Sequence, residues 1–367
     1  DNIINELTSE LVDEVGYHKR RQEVQKFNQK SKYLKKGLAL SPVKFGISFT
    51  TQLLNQAGAL VHVYKDGSIY LNHGGTEMGQ GLFIKVAQVV ANEFGVKLDQ
   101  VKVSATSTSK VPNTSPTAAS SGSDLNGMAA KEACIRIKRN LCDFAVQHFS
   151  VDVNDVKFED SNVFLGDKKI TFKEFISLAF LNRVELFSNG YYKTPKIYYD
   201  EAKKQGRPFF YYSYGVCLSE VIVDCLTGEY KLVAVDILHD VGASLNPAID
   251  MGQIVGGFIQ GMGWLCSEEL KWDDSGVLLT TGASTYKIPA IGDTPEHFNV
   301  KIKPNISNHE NTIHKSKAVG EPPLMLALSV WLAIKNAIYN EDNNNKTGLD
   351  APASFEKVFF NLNKKFN

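Results

Sequence analysis

Few sequences restrict a backbone as tightly as Gly320-Glu321-Pro322-Pro323. Gly320 opens backbone angles that other residues avoid. The two prolines hold φ near about −65° and carry no N–H. Such residues suit the first turn of a helix, where backbone donors would go unpaired anyway. The stretch that follows, LMLALSVWLAIKNAIY, has apolar residues at helical spacing. Glu321 is therefore expected on a stiff elbow at a helix N-terminus, where the helix favours an ionised carboxylate. An acid so placed has two readings, a helix cap or a fixed base, and the elbow alone does not choose between them.

A chain of 367 residues exceeds one ordinary domain and predicts two or three lobes. Its 40 Lys and Arg balance its 40 Asp and Glu, so no bulk charge draws it to nucleic acid. The five cysteines (Cys134, Cys142, Cys217, Cys225 and Cys266) have no CxxC or zinc spacing. They predict free thiols in a reducing compartment. No run of about 18 apolar residues is present, so no membrane span is expected. No signal peptide is visible. The first residue is Asp1, which suggests a fragment or a processed product.

Pattern then divides the chain. Residues 1–36 read as helix followed by a basic connector, RRQEVQKFNQKSKYLKK, with a solvated face. Residues 37–208 form a first subdomain, with an irregular elaboration over 150–205, and residues 209–367 a second. In the first, GALVHVYKDGSIYLNHG predicts a hairpin turning at Lys65-Asp66-Gly67. A glycine cluster, GGTEMGQG, feeds the helix LFIKVAQVVANEF, with Gly95 as its stop. A long Ser/Thr/Pro loop precedes a second helix, NGMAAKEACIRIKRNLCDFAVQHF. In the second, two strands flank Thr227-Gly228, with a third stretch of strand character directly after them. Asn246-Pro247 opens a glycine-laced helix, YKIPAIGDTPE is extended, and Asn343-Asn344-Asn345 reads as a surface loop.

Three loops carry candidate chemistry. GGTEMGQG lacks the dinucleotide and Walker spacings, so it is either a tight turn or a ligand loop with helix N–H groups for an anion. Its Gln80 has an amide able to bond an oxo group or a pterin edge. PTAASSGSD is either a cap, through Ser123 or Asp124, or a loop that holds phosphate through backbone N–H and hydroxyl groups. The glycines of MGQIVGGFIQGMG imply close packing against that helix. No set of His, Cys and carboxylates has metal-ligand spacing.

Together FGISFT, GALVHVYKDGSIYLNHGGTEMGQGL, VPNTSPTAAS, LNPAIDMGQIVGGFIQGMG, STYKIPA and SKAVGEPPL resemble the xanthine dehydrogenase/oxidase family of molybdopterin hydroxylases. The likeness is to the C-terminal half of the molybdenum lobe. It implies an α+β fold of two related molybdopterin-binding subdomains with mixed sheets and packed helices. By resemblance Glu321 is the catalytic base, Phe49 packs on a flat heterocycle and Thr50 lies beside the substrate. Met78, Gln80, Ala118, Ala119, Ser120 and Gln253 resemble cofactor contacts. Molybdenum would be held by the pterin dithiolene rather than by protein side chains, with Phe49 and Ala119 nearby. The implied reaction is hydroxylation of hypoxanthine to xanthine to urate with water as the oxygen source. Aldehyde oxidation is the alternative. The resemblance further implies 2Fe-2S clusters and FAD in other domains of the polypeptide, NAD or oxygen as acceptor, and a homodimer. It places the enzyme in the cytoplasm or peroxisome.

Overall fold

The structure, a computed structural model, describes residues 2–111, 113–339 and 348–363. Asn343-Asn344-Asn345 lies outside the described residues. The fold is mixed α and β, with mixed sheets and packed helices. Among the described residues no helix is long and apolar enough to cross a membrane. The chain divides into two compact units. One takes residues 1–45, 212–307 and 319–367, and the other 46–211 and 308–318. Both are discontinuous in sequence, so their limits do not coincide with boundaries at 36/37 and 208/209.

The first unit is built on a four-stranded sheet in the order Leu34–Ile47, Tyr211–Asp224, Tyr230–His239, His297–Ile302. The middle pair is an antiparallel hairpin, and Gly228 turns it at φ +79°. The third strand after the hairpin is not the adjoining stretch but His297–Ile302, which pairs parallel with Tyr230–His239. Parallel pairing requires a long crossover, and Pro247–Cys266 provides its helix. Side chains of Tyr211–Asp224 alternate between two cores. Val216 and Leu218 pack with Leu7, Leu11 and Val24 on one face. Cys217, Val221 and Val223 pack with Ile254, Phe258, Val330 and Ile334 on the other. Helices thus cover both faces, which is why the strand is apolar almost throughout.

The basic N-terminal run is not simply a solvated face. The helix Tyr17–Lys30 turns Arg20 to Asp236 (2.7 Å) and Glu220 (3.1 Å), both on the sheet. It also closes a sheet edge. Asn28 Oδ1 accepts from Lys36 N at 2.7 Å, and its Nδ2 donates to Lys36 O at 2.8 Å. Arg21 donates to Leu38 O, and Asn336 accepts from Leu38 N. An open edge strand would leave these groups as a template for another chain.

The second unit has a sheet ordered Val101–Val103, Ile69–His73, Gln56–Val63, Phe187–Lys193. Gln56–Val63 alternates strictly, burying Ala57, Ala59, Val61 and Val63. Its hairpin turns where expected, with Gly67 N donating to Tyr64 O at 2.8 Å. The helices Leu82–Phe94 and Gly122–Phe149 share one apolar core with this sheet. Gly95, at φ +60°, ends the first of them. The stretch 150–205 is ordered rather than irregular. Val156–Glu159, Asn162–Leu165 and Lys168–Thr171 form a small antiparallel sheet. Thr171 and Glu174 then make a reciprocal capping box for the helix Phe172–Leu181. Strands of four residues are too short to show a period, which explains the sequence-based reading.

Replacing Asn28 with Ala strands one donor and one acceptor of Lys36. A loss of about 1–3 kcal/mol is expected, seen as a lower denaturation midpoint in urea at unchanged slope.

Candidate cofactor and base site

Three loops of the second unit carry predicted site residues. Phe49 and Thr50 follow Ser48, which is buried and held at φ 147°. Asn55 grips this loop from within. Its Oδ1 accepts from Phe49 N at 2.8 Å and its Nδ2 donates to Phe49 O at 2.9 Å. Phe49 is half-buried and Thr50 exposed, on a backbone that this clamp fixes.

GGTEMGQG is braced by Glu77. That carboxylate accepts from the N–H groups of Gly79 (2.9 Å), Gly81 (3.0 Å) and Phe83 (2.9 Å). Burial works to raise its pKa, but those backbone donors outweigh burial and leave it below the usual range. The helix N-terminus therefore already holds the chain's own anion, contrary to an open anion cradle there. Gln80 is engaged within the loop, accepting from Met78 N at 2.6 Å and donating to Thr76 O at 2.8 Å. Met78 is 67% exposed.

The Ser/Thr/Pro loop comes to the same place. Thr117 Oγ1 accepts from Thr76 N at 2.9 Å, and Thr106 Oγ1 donates to Gly75 O at 3.0 Å. A Cβ on Gly74 would lie 1.9 Å from Thr114 Oγ1, so only glycine permits this approach. Ala119 and Ser120 both sit at φ 54°, a left-handed pair that ordinary residues adopt only under local constraint. The helix that follows begins at Gly122 with Ser121 as N-cap, so neither Ser123 nor Asp124 caps it. Asp124 is instead buried. Tyr211 donates to it at 2.6 Å and itself accepts from Ala318 N at 2.9 Å. Burial lifts the Asp124 carboxyl to about 7 against the pull of Tyr211 and Lys85.

The linked loops leave two buried polar atoms without a partner among the described residues, His73 Nε2 and Thr114 Oγ1. Burial lowers His73 to about 4, opposed by the Glu77 charge, so the ring is neutral. Its Nδ1 accepts from Gly75 N at 3.2 Å, which leaves the proton on Nε2. Unpaired polar atoms beside a glycine-lined, strained loop pair fit the edge of a polar heterocyclic cofactor.

The first unit holds Gln253 and Glu321. Asn246 Oδ1 accepts from Ile249 N at 3.1 Å and caps the helix Pro247–Cys266, with Pro247 at its first position. Gln253 is half-buried on that helix. The same helix seats the elbow. A Cβ on Gly261 would lie 2.3 Å from Leu324 O, and one on Gly257 3.1 Å from Pro323. Pro322 and Pro323 are buried, while Glu321 is exposed at the N-cap of Pro322–Leu326. Its side chain makes no cap hydrogen bond, so the capping role does not account for it. The helix breaks at Ala327 and resumes as Leu328–Ile338. Among the described residues, no three His, Cys, Asp or Glu are grouped to hold a metal ion.

The profile of the molybdopterin cofactor-binding domain family matches residues 10–295. The chain belongs to that family. It is 45% identical over 353 residues to the xanthine dehydrogenase/oxidase of Gallus gallus, covering 95% of the chain and 24% of the relative. It is 45% identical over 365 residues to the xanthine dehydrogenase of Dictyostelium discoideum, covering 98% of the chain and 25% of the relative. The chain thus spans about a quarter of the length of these relatives. Quinoline 2-oxidoreductase from Pseudomonas putida 86 has a similar fold, with a TM-score of 0.84 at 21% identity. That match covers 98% of this chain and 45% of that one. A Cu,Mo-CO dehydrogenase gives 0.82 at 20% identity, over 97% and 45%. The molybdopterin resemblance read from the motifs is shown by these matches.

Asn55, Glu77, His73, Thr117 and the Asp124–Tyr211 pair escaped the sequence reading as working residues. Only Glu77 had a local signal, an acid just ahead of a helix. Its contribution exists above the ordinary carboxylate pKa of about 4.3 and fades as pH falls through the lower folded value. Glu77→Gln should lower the unfolding temperature at neutral pH, and the gap should close below about pH 4. Thermal unfolding across that range checks it.

Proposed function

We propose that this chain is part of a longer molybdenum-dependent enzyme that hydroxylates purines, hypoxanthine to xanthine to urate, with water as the oxygen source. The observation that carries the reading is the exposed, non-capping carboxylate of Glu321 on its seated elbow. Identity of about 45% to xanthine dehydrogenases supports the purine class. We read the two units as the two molybdopterin-binding subdomains.

When bound, the molybdenum–pterin group supplies the two-electron acceptor. The chain's residues supply the rest. Glu321 takes the proton from the oxygen that attacks the substrate carbon, and its fixed backbone spares reorganisation in that step. Phe49 stacks on the flat purine and Thr50 borders it, on a loop that Asn55 keeps in shape. Met78, Gln80, Ala118, Ala119 and Ser120, on the linked loops of the second unit, hold the cofactor. His73 Nε2 and Thr114 Oγ1 are available as further polar partners to it. Gln253 is read as a further cofactor contact through its amide. 2Fe-2S and FAD groups in other domains of the polypeptide would pass the electrons on to NAD or oxygen. The enzyme works as a homodimer in the cytoplasm or peroxisome.

In full-length protein with equal molybdenum content, Glu321→Gln should lower urate formation from xanthine by at least about 100-fold. A metal-replete wild type that leaves xanthine untouched would end the purine reading and make aldehydes the substrates to assay.

A further inference from the structure

The short helix Pro322–Leu326 and the longer Leu328–Ile338 follow one helical path with a break at Ala327. In an unbroken helix Val330 N would donate to Leu326 O. Here it donates to Ala327 O at 2.9 Å, one residue nearer. Ser329 Oγ donates to Leu326 O at 2.8 Å and serves the acceptor that Val330 has given up. A serine that bonds back to the preceding turn bends a helix. This bend sets the direction in which Pro322–Leu326 leaves the longer helix, with Glu321 at its N-cap.

Ser329 has two partners on the strand Tyr211–Asp224. Ser219 Oγ lies 2.7 Å from Ser329 Oγ, and Cys217 Sγ lies 3.2 Å from it. Cys217 Sγ and Ser219 Oγ are 3.7 Å apart. All three side chains are fully buried. Around them Leu326, Ala327 and Val330 belong to an apolar core, where a polar group is costly unless it is bonded. One proton per hydroxyl gives the group one direction. A carbonyl only accepts, so the proton of Ser329 goes to Leu326 O. Ser219 then donates to Ser329. Burial pushes the Cys217 thiol up to about 12, so it keeps its proton and can donate to Ser219 in turn.

Two elements therefore hold the elbow. Gly257 and Gly261 meet it from the helix Pro247–Cys266, whereas a Cβ on Gly252 of that helix would have no heavy atom of the described residues within 4 Å. Ser329 ties it to the sheet. We propose that the chain Cys217–Ser219–Ser329 is a positioning device that fixes the break at Ala327 and so aims Glu321, a role that rests on the reading of Glu321 as the base. Ser329 is a positioning residue and acts only through the backbone it holds.

The test compares Ser329→Ala and Ser329→Thr with wild type in the metal-replete full-length protein. Alanine suits a helix better than serine, so the first variant folds. Threonine keeps a hydroxyl able to reach the carbonyl of the preceding turn. Amide hydrogen exchange reads the elbow without any substrate. In Ser329→Ala the peptide spanning 319–328 should exchange about tenfold faster, and Ser329→Thr should return it towards wild type. Xanthine turnover reads the consequence. In Ser329→Ala kcat should fall at least about tenfold with KM and molybdenum content held, and Ser329→Thr should recover it. Ile334→Ala, a buried truncation on the same longer helix, should lower the unfolding temperature and leave kcat unchanged. Wild-type exchange at the elbow of Ser329→Ala would overturn the proposal, as would a Ser329→Thr protein that behaves like Ser329→Ala. An equal fall in kcat for Ile334→Ala would make the effect one of stability and overturn it too. Faster elbow exchange in Ser329→Ala, with xanthine untouched by wild type, would support the positioning device and end the purine reading.

Discussion

Backbone packed on backbone, with a missing Cβ at the point of contact, is the constraint on which both units rest. Gly37 lies where a Cβ would meet Ala333 O at 1.9 Å, and Gly190 where one would meet Ala129 O at the same distance. Gly261 faces Leu324 O in the same way at 2.3 Å. Each contact locks a strand or a turn to a helix more closely than any side chain allows. At Gly261 the locked element is the elbow that carries Glu321. Prolines stiffen that turn internally, but the glycine helix gives it a seat. Stiffness and seating together fix the direction of a carboxylate that does not cap its own helix.

The second unit uses charge and hydrogen bonding for a comparable end. Glu77 consumes the helix N–H groups that a free anion would otherwise seek, and its ionised form holds the loop in one shape. Thr76 and Thr117 tie that loop to its neighbour. Among the described residues, the buried side-chain atoms left without a partner on these loops are His73 Nε2 and Thr114 Oγ1. They do not form a cluster of metal-ligating side chains.

Much of this was legible in the sequence because the signals are local. The hairpin at Lys65-Asp66-Gly67, the Gly95 stop, the Asn246-Pro247 start and the Gly-Glu-Pro-Pro elbow each depend on residues a few positions apart. The motifs that carry the family resemblance lie on the loops and helix ends just described. What stayed hidden depends on distant partners. Ile313, from the segment 308–318, packs at Gly127, and Ala318 N bonds Tyr211, which joins that segment to the second unit. Strand His297–Ile302 takes its place only after a crossover of more than fifty residues. Asp124 looks like a cap in sequence and proves to be a buried partner of Tyr211. Arg20 looks solvated and proves to reach a sheet carboxylate.

The most direct measurement compares Gly261→Ala with Gly252→Ala in the metal-replete full-length protein, reading kcat and KM for xanthine. Seating of the elbow predicts a large fall in kcat at Gly261, with KM and molybdenum content held, and little change in kcat at Gly252. Unchanged kcat for a folded, metal-replete Gly261→Ala protein would contradict the claim that the helix aims Glu321.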